Sequence, residues 1–175
     1  MANRDALRNF QSRLASRLQA ARTADVSASW LAIEAGEAKC LFPLGHAGEI
    51  FPWTVPQAVP YTMPWFLGVA NLRGGLYGVV ELASFLSGQP AAGTEATRAQ
   101  SRLVALNELL EVNCALLVDR LVGLRGVEAF TASTAPGPDA PAWFGHAYTD
   151  AQGERWQEVN LQALSQQPQF LSIGA

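Results

Sequence analysis

Gly68-Val69-Ala70-Asn71-Leu72-Arg73-Gly74-Gly75-Leu76-Tyr77-Gly78-Val79-Val80-Glu81-Leu82 is the stretch of this 175-residue chain that says most about its fold. Gly68 to Leu72 and Leu76 to Val80 are apolar runs of strand length, and Arg73-Gly74-Gly75 between them reads as a tight turn. Gly74 or Gly75 can supply the positive φ that such a turn demands. Arg73 then stands at the strand end, a charge in an otherwise charge-poor region. Leu82 to Leu86 reads as one helical turn, stopped by Gly88.

The same short-strand pattern extends outward. Upstream, Trp30 to Glu34 and Lys39 to Leu44 flank Ala35-Gly36, a hairpin signal. Pro52, Pro56, Pro60 and Pro64 punctuate the next stretch. That spacing excludes a helix and a central strand, so Phe51 to Pro64 is expected as an ordered, extended loop. Downstream, Gln89 to Ala99 is small and polar, a loop or lobe junction. Strands are expected at Arg102 to Leu106, Val112 to Asp119 and Leu124 to Phe130, followed by a Pro-containing loop over Thr131 to Pro141. Phe144 to Tyr148 and Arg155 to Val159 flank the turn Asp150-Ala151-Gln152-Gly153, and Asn160 to Gln166 reads as a short helix. Short strands separated by Gly and Pro imply small β-barrels or a sandwich.

The N-terminal segment differs in kind. Leu7, Phe10, Leu14, Leu18 and Ala21 fall within an arc of about 80° on a helical wheel. Arginines flank the stripe on both sides, and Asn3 is placed to cap the start. Met1 to Arg22 carries a net +4, while the rest of the chain carries −7. An amphipathic helix is expected, docked on its own domain or offered to a partner groove. The resulting division is residues 1–25 as helix and linker, 26–167 as the main domain and 168–175 as a tail.

Composition narrows the functional classes. Charged residues are only 15%, below the usual ~25%, which suits a surface partly covered by a partner. The net charge of −3 argues against nucleic acid as the main ligand. No apolar run approaches the ~18 residues of a membrane span and no secretion signal opens the chain, so a cytoplasmic protein without direct membrane insertion is expected. The single lysine, Lys39, follows no glycine-rich loop, which excludes a phosphate-cradling loop. Cys40 and Cys114 lie in apolar runs and read as buried, reduced thiols. No nucleophile elbow is present, and His46 and His146 belong to no cluster with metal-ligand spacing. No catalytic residue, cofactor site or metal site is expected.

The Gly68–Leu82 segment closely resembles the signature of CheW-like domains, an aliphatic strand ending in Gly-x-x-Asn-Leu-Arg-Gly and a second strand ending in an acidic residue and Leu. Other features follow in the family's order. They are Glu49-Ile50, the proline-bearing Pro56 to Pro64, Leu117-Val118-Asp119-Arg120-Leu121-Val122 and the late turn at Asp150 to Gly153. Met63-Pro64-Trp65-Phe66-Leu67-Gly68-Val69-Ala70-Asn71 looks like the PilI-type branch, the adaptors of type IV pilus (twitching motility) chemosensory systems. Two positions depart from the pattern. Gly78 stands where Pro is common, suggesting a less constrained second strand, and Glu81 stands where Asp is common.

The resemblance implies a mainly β fold of two SH3-like five-stranded β-barrels with a groove between them, here with the N-terminal amphipathic helix and a short C-terminal helix added. It implies a non-catalytic adaptor that links the cytoplasmic tip of a methyl-accepting chemotaxis receptor to the regulatory domain of a CheA-type histidine kinase. Candidate partner-binding residues are Glu49, Ile50, Val69, Asn71, Leu72, Arg73, Gly74, Gly75 and Val122. Within that set, Glu49 and Arg73 are expected to form an ion pair at the edge of the first barrel. Alternative readings are a kinase-independent signalling scaffold and a β-barrel that binds a small ligand in the region from Trp53 to Trp65.

Overall fold

The computed structural model describes residues 28–90 and 93–175; the expected N-terminal helix lies outside them. Eleven strands run β1 (Ala28–Ala35), β2 (Ala38–Pro43), β3 (Ala47–Pro52), β4 (Phe66–Leu72), β5 (Gly75–Glu81), β6 (Arg102–Leu106), β7 (Cys114–Val118), β8 (Arg120–Gly126), β9 (Phe130–Thr134), β10 (Phe144–Asp150) and β11 (Arg155–Val159). Three short helices complete the description, α1 (Leu82–Ser87), α2 (Leu161–Ser165) and α3 (Pro168–Leu171), with 3-10 turns at Glu95–Gln100, Glu108–Leu110 and Val127–Ala129.

The strands form two sheets, of six and five strands rather than five and five. Their orders are β8-β1-β2-β11-β10-β9 and β3-β6-β7-β5-β4. The first hairpin therefore joins the C-terminal strands, while the middle of the chain builds the other sheet. Two elements differ from expectation. β3 was hidden because Gly48 and Pro52 interrupt it and only Phe51 is buried along its length. It survives as a strand because it lies on an edge, where a proline costs no ladder bond. In place of the expected strand over Leu124 to Phe130, β8 ends at Gly126, a 3-10 turn follows, and β9 starts at Phe130 and runs into the loop expected from Thr131, with Gly123 at φ 134°.

Both faces of the inner strands are covered, which explains their unbroken apolar runs. Along β7, Cys114, Leu116 and Val118 face a central cluster shared by the two sheets, while Ala115 and Leu117 face a second cluster. On β1, Leu31 and Ile33 face the central cluster, and Trp30 and Ala32 face a third. Each sheet thus contributes one face to the common core and encloses a smaller core of its own. Cys40 and Cys114 are buried as free thiols, and burial pushes both up to about 12.

The proline-rich stretch is an ordered, extended loop from Trp53 on, as expected, while Phe51 and Pro52 belong to β3. Gln57 and Val69 exchange backbone hydrogen bonds at 2.7 and 2.9 Å, so part of the edge of β4 is covered. Gly68 permits this crossing, because a Cβ there would lie 2.0 Å from the Gln57 carbonyl oxygen. The loop is also tied to the C-terminus, where the Met63 N–H donates to Ile173 O at 2.7 Å. Phe170 of α3 is buried and stacks on Trp65, with centroids 6.2 Å apart. The helices predicted at Leu82 and Asn160 are present. Asn160 caps α2 through its side chain, and Gly88 ends α1 with φ 69°.

Candidate functional site

Leu72 pairs with Gly75, leaving Arg73-Gly74 as a two-residue hairpin loop. Arg73 has φ 48° and Gly74 φ 85°, the two positive values of a type I′ turn, which matches the twist of the flanking strands. The Asn71 side chain accepts from the Gly74 N–H at 3.0 Å and braces the turn. Gly74 thus has the expected positive φ and Gly75 does not. Arg73 has it as well, at a left-handed conformation that costs an L-residue about 1–2 kcal/mol. The turn holds this charge at its outermost point.

Arg73 meets Glu49 at 2.5 Å, as expected for an ion pair. The side chains are 76% and 43% exposed, so the contact is worth about 0–1 kcal/mol. Its geometry is more informative than its energy. Glu49 lies on β3 and Arg73 joins β4 to β5, at opposite edges of the five-stranded sheet. Their contact across the strands between them requires the sheet to curl. The Arg73 guanidinium also lies 6.0 Å from the Phe51 ring of β3, and Phe51 lies 6.2 Å from Tyr77 of β5. A hollow of about 300 Å³ between Glu49, Tyr77 and Leu109 adjoins this seam.

The nine candidate residues separate into groups. Glu49, Asn71, Arg73 and Gly74 share the exposed rim, with Gly75 half-buried beside them. Ile50 is 39% exposed and stands opposite Val104, on the other face of β3 from Glu49. Val69 is half-buried against the central core, with its backbone engaged by Gln57. Leu72 is 4% exposed and fills the core of the five-stranded sheet, so its side chain packs inside the fold. Val122 belongs to β8 of the other sheet, half-buried against the third cluster.

Sequence reasoning missed a second ion pair. Glu81 and Arg98 meet at 3.2 Å with side chains 8% and 14% exposed. The Ser84 hydroxyl donates to the same carboxylate at 2.5 Å, and the guanidinium lies 4.7 Å from the Trp53 ring. The pair borders a cleft of about 840 Å³ between the β1–β2 turn and α1. This is the structural use of Glu81, the acidic end of the signature; Arg98 lies in a loop that carried no signal. At the ends of the Trp53–Trp65 region, Arg98 covers Trp53 while Phe85 and Phe170 pack on Trp65. The second departure also has a local explanation. The Gly78 N–H donates to Asn113 O at 3.0 Å, a bond proline cannot make, and a Cβ there would meet the Phe66 ring at 3.0 Å. The second strand is therefore anchored at Gly78, contrary to the expectation of a looser one.

Within Leu117–Val122, Asp119 accepts from the Gly36 N–H at 2.5 Å and so fastens the β1–β2 turn. Next to it, the Arg120 guanidinium donates twice to Glu34, at 3.0 and 2.9 Å. These hydrogen bonds hold the Glu34 carboxyl below its ordinary range against a smaller opposing effect of burial.

This chain belongs to the CheW-like domain family, whose model matches residues 29–169. It is 30% identical to Protein PilI of Pseudomonas aeruginosa over 165 residues, covering 92% of this chain and 88% of that protein. Its fold is similar to that of the scaffolding protein TtCheW from Thermoanaerobacter tengcongensis, with a TM-score of 0.60 at 15% identity, over 76% of this chain and 88% of the other.

Proposed function

We propose that the protein is a non-catalytic chemosensory adaptor that joins a methyl-accepting receptor tip to the regulatory domain of a CheA-type histidine kinase, in a system controlling type IV pilus twitching motility. The family match and the near full-length similarity to Protein PilI support this reading. The observation that carries it is the hairpin tip. A strained turn holds Arg73 outward in a pair with Glu49 that is worth about 0–1 kcal/mol, so a partner can take over either charge at small cost. The curling of the five-stranded sheet supports reading that sheet as an SH3-like barrel. Edge strands β8 and β9 offer backbone groups to a partner of the same architecture. The protein works in the cytoplasm at receptor arrays and needs no cofactor.

Isothermal titration with the kinase regulatory domain of the same organism tests the reading. Micromolar or tighter binding is expected for the wild type, weakened at least tenfold by Arg73→Asp with the fold intact. Absence of binding by folded wild-type protein, to both the kinase domain and a receptor-tip fragment, overturns the adaptor assignment. Binding that Arg73→Asp leaves unchanged removes the hairpin tip from the kinase contact.

A further inference from the structure

The cleft of about 840 Å³ opens where the two sheets meet. The β1–β2 turn of the six-stranded sheet forms one wall, and α1, which follows β5 of the five-stranded sheet, forms another. A Cβ on Gly36 would stand 3.3 Å from the Ala83 Cβ, so turn and helix touch beside the opening. Ala35, Ala38, Ala83 and Leu86 give the cleft apolar walls. That volume, and that position between two packed units, are those of a small-molecule site. The buried Glu81–Arg98 pair also lines it. A buried ion pair is often no more stabilising than apolar side chains in its place, so stability alone does not account for one in a cleft wall.

The polar groups of the lining set the chemistry of an occupant. Arg98 is only partly used. Its Nη2 meets Glu81 Oε1 at 3.2 Å, while its Nε is buried and has no acceptor. The second oxygen of Glu81 is taken by the Ser84 hydroxyl at 2.5 Å. Arg120, by contrast, gives both Nε and Nη2 to Glu34, at 3.0 and 2.9 Å. A buried donor without an acceptor calls for one. Beside the Glu81 carboxylate, a neutral oxygen meets that need without the repulsion a second carboxylate would bring. Glu37 and Asp119, both exposed, complete the charge of the lining. Asp119 accepts from the Gly36 N–H, which sets it beside Glu37, and neither carboxylate has a cationic partner among the described residues. Three carboxylates against one guanidinium leave an excess of negative charge that attracts cations and repels anions.

We propose that this cleft binds a small organic amine with an aliphatic body and a neutral oxygen. The ammonium lies at Asp119 and Glu37, the body against Ala83 and Leu86, and the oxygen toward Arg98. A free amino amide and the first residue of a peptide share this chemistry. Amide-resolved NMR titration of the full chain with L-leucinamide tests the proposal. Saturable shifts are expected at Gly36, Ala83 and Ser87, with a Kd below about 1 mM. 4-Methylpentanamide, which lacks the ammonium, and isoamylamine, which lacks the oxygen, should each bind at least threefold less tightly. Asp119→Asn should weaken leucinamide at least tenfold, and Ser87→Trp, which fills the cleft from an exposed position, should abolish binding. Glu128→Gln, an exposed acid outside the lining, should change nothing. Urea midpoints show that each variant is folded, and the wild-type comparison of the three ligands stands without any variant. A leucine-initiated tetrapeptide amide that binds as tightly as leucinamide assigns the site to a peptide N-terminus, and its exclusion assigns the site to a free amine; both keep the proposed chemistry. No saturable shift in the wild type overturns the proposal, as does equal binding of 4-methylpentanamide, or leucinamide binding that survives in folded Ser87→Trp.

Discussion

Replacing Arg98 with methionine keeps the aliphatic stem and removes the guanidinium. Glu81 is then left with Ser84 as its remaining partner in a site where its side chain is 8% exposed. Removing one member of a buried pair costs about 3–5 kcal/mol, mostly for the charge left behind. The Ser84 hydrogen bond and the solvent access at Arg98 place this case at the lower end, about 3 kcal/mol. At 2–4 °C per kcal/mol for a domain of this size, the Tm should fall by about 6–12 °C. Urea unfolding should show a lower midpoint at unchanged slope. Arg73→Met deletes the same group from a pair that is 76% and 43% exposed and should cost less than about 1 kcal/mol. Adding Glu81→Leu to Arg98→Met removes both buried charges and should recover most of the loss. If Arg98→Met costs under about 1 kcal/mol, or no less is lost at Arg73, burial does not govern these pairs and the reasoning fails.

Gly68→Ala should destabilise by about 2–4 kcal/mol in urea titration, because φ is +131° and the new Cβ meets the Gln57 carbonyl. Wild-type stability at Gly68→Ala would mean the proline-rich loop is not held against β4. Cys40 and Cys114, with thiols pushed up to about 12 by burial, should resist a thiol reagent at mildly alkaline pH in the native protein and react together on unfolding. Rapid native labelling of either would contradict their place in the core. Glu34 is held below its ordinary value of 4.5 by the Arg120 hydrogen bonds. Its contribution to stability is therefore complete above that value and lost as pH falls through the lowered folded value. Acid unfolding of Glu34→Gln should show a shallower loss than the wild type below about pH 5; identical profiles would exclude this linkage.

Much of the fold was legible because its signals are local. Arg73-Gly74 between two aliphatic runs marks a hairpin, Gly88 marks a helix end, and Pro56, Pro60 and Pro64 mark an extended loop. β3 was not legible, since an edge strand with one buried side chain leaves no alternation to read. Nor was the membership of the sheets. The chain order suggests halves, but β1 and β2 pair with β8 and β11, and only long-range packing selects those partners. Among the candidate residues, the charged and turn positions sit where a partner can reach them. Leu72, by the same motif, is a core residue. A motif records that a position is constrained without recording whether solvent or the protein interior constrains it.

By itself the sequence determined the strand-rich class, the turn that presents Arg73 and the absence of a membrane-length apolar run, properties set by residues within a few positions of one another, and the family, through short motifs in a fixed order along the chain. The tertiary structure alone decided that Glu49 reaches Arg73 across two sheet edges. It also decided that Glu81 and Arg98, seventeen residues apart, become the buried pair. Those contacts depend on how far a sheet curls and which loop falls across it. That curvature is settled by the side chains filling the cores, and no local spacing encodes it.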